Sequence, residues 1–329
     1  MKRLFKVLVI LSIAVLFISC GRKVTSEEAE EKIAQHMYER YGEEFEVGYA
    51  MIDGYTKGDR DVTWYEARVT PIRYIGTPKY TDSYYRAVGT VMVKKKMFRE
   101  EFGITRDTYS NVMLKESANE FYGKKLKELF GENYLSVLEV TGSYSDKSKN
   151  FEGSVKLTKE KGDRLYISGG IYIFGRVEND EDREWYRKQI YEFIQFMKET
   201  GTFEYVSLEI LISDERVLSY QFQKNKELKE KIMQMRIETN DYSLFFKERD
   251  KLMKQININK VTEKEKEEIL NNINQGRFSS KDLPEFVGGN SIFYKKIYSP
   301  KYIESQNWKE DKKIEYNTLE EMQFTWEIF

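Results

Sequence analysis

The amino-acid sequence predicts an α+β fold built from repeated units of one helix followed by antiparallel strands. Apolar residues recur at helical spacing after residue 25, and strand-like alternation follows in "VTWYEARVTPIRY". A glycine with an aromatic residue behind it ends each long helical segment, as is typical where a helix leads into a strand. Hydrophobic residues are 40% of the 329 and aromatic residues 15%, which is enough for a sizeable core.

The first unit is predicted to span residues 20–105. Thr25 and Glu28 have the spacing of a capping box, which predicts a helix from about Ser26 to Tyr41. We interpret "DGYTKGDRD" (residues 53–61) as a hairpin turn. Three strand-like runs are separated by turn signals: Glu44–Tyr55, Val62–Ile75 and Tyr84–Met97.

Residues 106–223 are predicted to form a second and a third unit. We expect helices at about Thr108–Phe130 and Asp182–Glu199. Gly169 and Gly170 predict a bulge or bend in the most strand-like run of the chain. The expected strands are Tyr134–Tyr144, Phe151–Thr158 and Arg164–Val177, followed by a hairpin of Phe203–Ser213 and Arg216–Gln223.

A short pattern recurs where the helices end. It reads "YGEEF" at Tyr41–Phe45, "FGENY" at Phe130–Tyr134 and, more weakly, "TGTFEY" at Thr200–Tyr205. Each glycine stands where a helix C-terminus favours a positive φ. An internal duplication and a generic helix-to-strand exit both explain the pattern.

Residues 224–329 are predicted to form a mainly helical C-terminal region. The composition becomes rich in lysine and glutamate after Lys224, and Thr262 and Glu265 repeat the capping-box spacing. The last segment, "MQFTWEIF" (Met322–Phe329), reads as a terminal strand.

The N-terminus has the organisation of a secretory signal peptide. Lys2, Arg3 and Lys6 precede a nearly unbroken apolar run, Val7–Ile18, and Ser19 is small. The run is shorter than the roughly 20 apolar residues of a membrane-spanning helix. We therefore predict that residues 1–19 are a signal peptide.

The sequence "FISC" (Phe17–Cys20) resembles the lipobox of bacterial lipoproteins, in which apolar residues and a small residue precede an obligatory cysteine. The resemblance implies cleavage before Cys20, a diacylglyceryl group on its thiol and acylation of the new amino group. It also implies an extracytoplasmic location on the cell membrane or the outer membrane. Two or three acyl chains anchor a protein stably, whereas one gives marginal binding. An ordinary secretory signal with a chance cysteine and an uncleaved anchor are the alternatives.

The tether after Cys20 is short. The signal for the first helix begins at Thr25, five residues later. The first unit is therefore expected to lie close to the bilayer.

Composition narrows the chemistry. The chain has 1 His and 1 Cys, so a Cys/His zinc site and an intramolecular disulfide are excluded within one chain. His36 could act as a lone general base, but no nucleophile is paired with it, and we interpret it as an exposed or half-buried helix residue. The 54 basic and 55 acidic side chains nearly balance, so no overall field attracts nucleic acid.

Other motifs give no catalytic, cofactor-binding or metal site. The acidic segment "NDEDREW" (Asn179–Trp185) is better explained as a helix start than as a Ca²⁺ loop. The glycine pairs in "SGG" and "VGGN" lack the spacing of a phosphate-binding loop.

The segment "WYEARV" (Trp64–Val69), in strands that follow a short helix, resembles PepSY-type modules of exported proteins. Such modules are small α+β units that bind or restrain partners. The segment resembles NTF2-like domains, which have a helix and a curved sheet, equally well.

These observations favour a membrane-anchored, extracytoplasmic lipoprotein with a non-catalytic binding or scaffolding role in the cell envelope. The membrane, through Cys20, and an envelope protein are the expected partners, with no cofactor and no nucleic acid. The alternative is an envelope glycan hydrolase that uses carboxylates alone. With 24 Tyr and 20 Phe, outward aromatic residues on a sheet could also form a sugar- or peptide-binding platform, although most should lie in the core.

Overall fold

The computed structural model describes residues 23–58, 60–96, 99–142, 150–239, 241–258, 261–272, 291–308 and 313–324. Cys20 and the predicted signal peptide lie outside the described residues. The chain divides into two compact units, Met1–Val112 (unit 1) and Met113–Phe329 (unit 2). Both contain helices and a sheet, so the predicted α+β class is confirmed.

Unit 1 contains one long helix and an antiparallel sheet. Helix α1 is Ser26–Tyr41. Strand β3 pairs on one side with β1 and β2 and on the other with β4, which pairs in turn with β5. The strands are β1 (Phe45–Val47), β2 (Met51–Lys57), β3 (Arg60–Pro71), β4 (Ala87–Lys96) and β5 (Arg99–Asp107).

One face of this sheet is covered by α1. Ala29, Ile33 and Met37 recur at helical spacing and are fully buried. A Cβ at Gly89 of β4 would overlap the Ile33 side chain, so glycine lets the helix approach the sheet closely.

Local signals in unit 1 are confirmed. The capping box is complete, because the Glu28 N–H donates to the Thr25 hydroxyl at 3.2 Å and the Thr25 N–H donates to the Glu28 carboxylate at 3.2 Å. Strands β2 and β3 form a hairpin, as predicted, but residues 53–57 and 60–61 of "DGYTKGDRD" belong to the paired strands, and residue 59 lies outside the described residues. The expected run Glu44–Tyr55 is divided between β1 and β2. Strand β5 was not predicted, because Arg99, Glu100 and other charged residues interrupt its alternation.

Unit 2 is built on a mixed sheet with the order β6-β7-β8-β9. Strands β7 and β8 run parallel, which departs from the expected antiparallel units, whereas the other two pairs are antiparallel. A parallel pair needs a crossover connection, and helix α4 provides it. The strands are β6 (Tyr134–Thr141), β7 (Tyr166–Gly175), β8 (Tyr205–Asp214) and β9 (Ser291–Tyr298).

Helices precede, separate and follow these strands in the sequence. Helix α2 begins in unit 1 and belongs mainly to unit 2. The described helices are α2 (Tyr109–Phe130), α3 (Phe151–Lys161), α4 (Asp180–Glu199), α5 (Tyr220–Lys224), α6 (Lys226–Glu238), α7 (Tyr242–Gln255), α8 (Glu263–Asn272) and α9 (Pro300–Ser305).

An apolar cluster lies on each face of the unit 2 sheet. Ile171 and Ile173 of β7 belong to the first cluster, which includes residues of α2 and α4. Tyr172 and Phe174 point to the opposite face and belong to the second cluster, with residues of α6, α7 and α8. The residues after 224 therefore pack on the same sheet as those before it.

Two segments of unit 2 were predicted wrongly as strands. Phe151–Thr158 lies in helix α3, because Asn150 caps it and Phe151, Ser154 and Thr158 are buried at helical spacing. Arg216–Gln223 contains a 3₁₀ turn, Glu215–Leu218, and helix α5. The Asp214 and Ser219 side chains cap these two elements, and short helices of this kind have no clear periodicity.

The glycine signals have mixed outcomes. Gly42, Gly131 and Gly201 all adopt a positive φ, between 64° and 70°, at the ends of the three long helices, as predicted. Of the bulge or bend expected at Gly169 and Gly170, the bulge is wrong, because β7 keeps an unbroken register with both neighbours. Gly169 instead has φ 126°, and a Cβ there would overlap the Val137 carbonyl oxygen of β6.

The C-terminal helices were predicted, with the Thr262–Glu265 capping pair formed at 3.2 Å. Strand β9 was not. Residues 322–324 are not a strand, and the rest of the predicted terminal strand lies outside the described residues. Within the described part of the chain, no helix has the length and apolar character needed to cross a membrane.

Candidate functional site

Strand β2 forms an exposed apolar edge of unit 1. All seven of its residues are exposed. Tyr49, Met51, Ile52 and Tyr55 are between 54% and 73% exposed. Proteins usually protect edge strands with charge, proline or a covering element, because a bare edge pairs with other chains. Among the described strands β2 pairs with β3 alone, so one side of its backbone is open.

Apolar side chains leave both faces of β2. Ile52 lies opposite Tyr65, which is buried on the α1 side of the sheet. Met51 and Tyr55 point to the other face, where the Tyr55 ring meets the edge of Trp64 at 5.9 Å between centroids. A partner that follows this edge would therefore contact an apolar surface on either face.

The start of β2 is tied to the start of α1. The Ala50 N–H donates to Glu30 Oε1 at 2.9 Å, and the Ser26 hydroxyl donates to the Ala50 carbonyl oxygen. The Tyr65 hydroxyl donates to the Val24 carbonyl oxygen at 3.0 Å. These bonds hold the exposed strand beside Val24 and the start of α1.

Val24 follows Cys20 by four residues in the sequence. Four residues of fully extended chain span at most about 14 Å. Cys20 itself lies outside the described residues.

The one histidine, His36, joins a cluster around Asp107 at the end of β5. Its Nε2 lies 2.9 Å from Asp107 Oδ2, to which Arg40 Nη1 donates at 3.0 Å. The Tyr41 hydroxyl and the Tyr109 N–H donate to Oδ1 at 2.6 Å and 3.0 Å. The Asp107 carboxylate is fully buried, and His36 is 23% exposed.

This arrangement gives the Asp107 cluster a structural role. It joins the last turn of α1 to the end of β5, and each carboxylate oxygen accepts two hydrogen bonds. Within the described residues, no serine, threonine or tyrosine hydroxyl bonds to the imidazole. His36 lies in helix α1 and is half-buried, as the sequence predicted.

Unit 2 has its own buried ion-pair network, formed by Asp214, Arg216, Arg249 and Asp250. Asp214, at the end of β8, accepts from Arg216 Nη2 at 2.6 Å and from Arg249 Nη2 at 2.9 Å. Arg216 Nη1 donates to Asp250 Oδ1 at 2.7 Å. The network therefore attaches helix α7, which carries Arg249 and Asp250, to the end of the sheet.

The charges of this network determine the protonation of Asp214. Burial alone would raise the pKa of its carboxyl group. The hydrogen bond from Arg216 and the positive charges of Arg249 and Arg216 outweigh burial, so the pKa of Asp214 lies below its ordinary value. Asp214 is therefore ionised at neutral pH and stabilises the structure electrostatically.

The acidic segment Asn179–Trp185 has a structural explanation, and "VGGN" (residues 287–290) lies outside the described residues. The Asn179 side chain accepts from the Asp182 N–H at 2.8 Å, and Asp180, Glu181 and Asp182 form the first turn of α4, as predicted for a helix start. In the described part of the chain, no group of three or more His, Cys, Asp or Glu side chains could hold a metal ion.

The candidate surface was missed at the sequence level. Met51, Ile52 and Tyr55 look like ordinary strand residues, and nothing local distinguishes an edge strand from a central one. A weak signal was present, because Met51 and Ile52 are adjacent and cannot both face one core.

Comparisons with known proteins add little. No family model matches the chain, and no curated protein matches it. One solved structure, of a DUF5037 family protein from Ruminococcus gnavus ATCC 29149, is similar with a TM-score of 0.33 and 16% sequence identity. The match covers 60% of this chain and 79% of that one. A likeness of this degree carries no argument about function.

Proposed function

We propose that the protein is a lipid-anchored, extracytoplasmic lipoprotein with a non-catalytic binding role in the cell envelope. In this proposal strand β2 receives an extended segment of an envelope protein. The lipobox at Phe17–Cys20 supports the anchor, and the exposed apolar edge of β2 supports the binding role. The edge carries most weight, because an open strand rich in apolar side chains is costly to keep without a partner.

Strand addition explains the composition of β2. A segment that pairs with an open edge gains backbone hydrogen bonds, and alternate side chains provide specificity. Met51 and Tyr55 would contact the segment on one face and Ile52 on the other. Anchoring at Cys20 would present the partner close to the membrane.

The anchor is tested with a Cys20→Ala variant. Wild-type protein should incorporate labelled palmitate and partition into the detergent phase of Triton X-114, whereas the variant should do neither. A variant that remains in the membrane fraction as fully as wild type would show that the N-terminus is an uncleaved anchor.

The binding role is tested by cross-linking in cells with Ile52→Asp. Ile104 on β5 gives a matched control, because it is 58% exposed against 63% for Ile52. A cross-linked envelope protein should be recovered with wild type and Ile104→Asp and should fall at least about tenfold with Ile52→Asp. Equal recovery with both variants would remove β2 as the binding strand. Digestion of cell-wall fractions by the purified protein would instead support the carboxylate hydrolase.

A further inference from the structure

An extended part of unit 2 lies along helix α4. We call residues 313–324 the C-terminal segment, and they contain no helix or strand. The one backbone-to-backbone hydrogen bond that forms among them runs from the Met322 N–H to the Leu319 carbonyl oxygen at 3.2 Å. The shape of the C-terminal segment therefore depends on its contacts with the rest of unit 2.

Helix α4 holds the C-terminal segment by side chains that donate to its backbone. The donors recur every three or four residues, so they project from one face of the helix: Arg187, Tyr191, Gln195 and Lys198. The Tyr191 hydroxyl donates to the Asn317 carbonyl oxygen at 2.9 Å. Gln195 Nε2 and Lys198 Nζ both donate to the Tyr316 carbonyl oxygen, at 2.8 Å and 2.9 Å. Arg187 Nη1 donates to the carbonyl oxygens of Leu319 and Met322, the second at 3.4 Å. Each of these acceptors is a backbone group that any sequence carries.

Two side chains of the C-terminal segment enter the first apolar cluster. Tyr316 and Met322 are 3% and 1% exposed and belong to that cluster. The Tyr316 ring meets the Phe203 ring edge-on at 5.9 Å between centroids. Residues 317–321, between the two anchors, are exposed or half-buried. The four donors and Phe203, which we call the α4 groove, therefore bind an extended backbone and two anchor side chains.

The backbone of Tyr316 indicates that the groove imposes the bound shape. Tyr316 has φ 53°, a left-handed conformation that residues with a side chain rarely adopt. The carbonyl oxygen of the same residue accepts from Gln195 and Lys198. Without the groove the segment would lose these bonds and the reason for this conformation, as a peptide does when it leaves a site in which it is ordered by binding.

The charges of the groove and of the segment are complementary. The C-terminal segment carries three glutamates and one lysine, whereas two of the four donors, Arg187 and Lys198, are cationic. Glu320 lines a surface cleft together with Arg187. Burial lowers the pKa of Lys198, and the nearby carboxylates of Glu321 and Glu315 act in the opposite direction. The groove therefore favours an acidic extended segment.

We propose that the α4 groove is a peptide-binding site that also accepts the C-terminal segment of a second copy of this chain. Binding through backbone groups, with pockets for particular side chains, is a general mode of peptide recognition. The chain's own segment shows the fit, and a second copy offers the same anchors and the same acidic charge. The attached segment has an effective concentration of about a millimolar or more, so at micromolar protein each copy fills its own groove. Exchange between copies becomes dominant when one copy holds its own segment weakly.

The first test uses a synthetic, fluorescein-labelled peptide of residues 313–324. The protein is the full-length chain in detergent with Tyr316→Ala and Met322→Ala together (the segment variant), which weakens the attached segment and keeps the donors of the groove. By fluorescence anisotropy the peptide should bind the segment variant with a Kd at or below about 100 μM. Wild type should bind it at least about tenfold more weakly, because its groove is filled. A peptide with the same two alanine substitutions is the control and should also bind at least about tenfold more weakly.

Two lysines of α4 locate the binding. Lys198 Nζ donates to the Glu315 and Tyr316 carbonyl oxygens and to Asn317 Oδ1. Lys198→Met in the segment variant should therefore weaken peptide binding at least about fivefold. Lys188→Met is the matched control, because Lys188 is 58% exposed on the same helix and pairs with Glu184 at 3.8 Å. It should change the affinity less than about twofold.

The second test mixes two full-length variants that carry different affinity tags. The segment variant offers an open groove, and the groove variant, Gln195→Ala with Lys198→Met, offers an intact segment that its own groove holds weakly. At about 50 μM of each, the two tags should co-purify at least about tenfold more than in a mixture of two tagged wild types. Either variant mixed with a differently tagged copy of itself should stay at the wild-type level.

Circular dichroism checks the folding of each variant. If the segment variant has unfolded, Met322→Ala alone replaces it, and wild type provides a second measurement. The peptide at about 10 mM exceeds the effective concentration of the attached segment and should occupy more than half of the wild-type grooves. Saturation-transfer NMR should detect this occupancy with the native peptide and not with the alanine peptide.

Three results would overturn the proposal. They are a folded segment variant that binds no peptide at about 1 mM, equal binding of the native and alanine peptides, and peptide binding without co-purification of the two tagged variants. The α4 groove shares no residue with β2 or with the lipobox, so each of these results leaves the proposed envelope-protein partner and anchor intact.

Discussion

The two units differ in how they cover their sheets. In unit 2 each face of β7 enters an apolar cluster, with Ile171 on one face and Tyr172 on the other. In unit 1 helix α1 covers one face, and β2 leaves Met51 and Ile52 exposed. Strand β7 of unit 2 is therefore covered on both faces, whereas strand β2 of unit 1 keeps its apolar side chains exposed.

The units also differ in how they bury a carboxylate. Asp107 and Asp214 are both buried and both accept several hydrogen bonds. The charged partners of Asp214, Arg216 and Arg249, are 9% and 4% exposed, whereas His36 and Arg40, the partners of Asp107, are 23% and 25% exposed. The charged partners of the two carboxylates differ in solvent exposure. Removing each carboxylate should therefore lower the free energy of unfolding by a different amount.

The largest effect is expected for Asp214→Ala. It would leave Arg249 buried without its anion and Arg216 with Asp250 as its remaining anionic partner, and breaking a buried ion pair in this way costs about 3–5 kcal/mol. The free energy of unfolding of unit 2 should fall by that amount, while amide hydrogen exchange in β1–β5 of unit 1 stays unchanged.

Asp180→Ala is the control for this variant. Asp180 belongs to the same unit, but its side chain is 94% exposed at the start of α4, so the loss should be less than about 1 kcal/mol. Similar losses from the two variants would mean that the Asp214 network is solvated. Faster exchange in β3 or β4 after Asp214→Ala would mean that the units are not independently stable.

The second effect is the pH dependence that Asp214 and Asp250 give to unit 2. Because the pKa of Asp214 is lowered in the folded protein, its contribution is complete above the unfolded pKa of about 3.9 and is lost as pH falls through the folded value. For Asp250, burial opposes but the hydrogen bonds from Lys254 and Arg216 prevail, and its pKa is lowered too. Urea midpoints of wild type and Asp214→Asn should therefore converge as pH falls below about 4. A difference that stays constant down to about pH 2 would contradict this assignment.

The third effect, intermediate in size, is expected for Asp107→Asn in unit 1. The neutral amide keeps one acceptor oxygen, so the hydrogen bonds from His36, Arg40, Tyr41 and the Tyr109 N–H cannot all be retained. The loss should be about 1–3 kcal/mol, since the partners are partly solvated. Hydrogen exchange should accelerate in the last turn of α1 and in β5 while β7 and β8 keep their protection. A loss above about 4 kcal/mol would show that solvent exposure of the partners does not moderate the cost.

The features that the sequence predicted are local. The capping box of Thr25 and Glu28 and the positive φ of Gly42 and Gly131 depend on residues within one helical turn, so pattern alone is sufficient. The same holds for the acidic start of α4. The lipid site at Cys20 is a local motif as well, and it stays a prediction.

The features that were missed depend on distant parts of the chain. Asp214 and Arg249 are 35 residues apart, and nothing in either neighbourhood indicates the other. Strand β9 is defined by its pairing with β8, from which it is separated by helices. The segment at Phe151 has strand-like composition, but burial of Phe151 and Ser154 on one side selects a helix. Exposure of β2 is likewise decided by which strand forms the edge.

The smallest effect on stability is expected for Ile52→Thr, and it tests the comparison most directly. Threonine keeps the β-branched shape, and Ile52 is exposed in the free chain, so the free energy of unfolding of unit 1 should change by less than about 0.5 kcal/mol. Ile33→Ala, at a fully buried position, should cost about 2–5 kcal/mol in the same unit.

If Ile52→Thr costs more than about 1 kcal/mol, β2 is covered already in the purified protein. A midpoint that then rises with protein concentration would identify the cover as a second copy of the chain, because association stabilises by mass action. A small effect, combined with loss of the cross-linked partner, would show that the apolar edge serves binding and not folding.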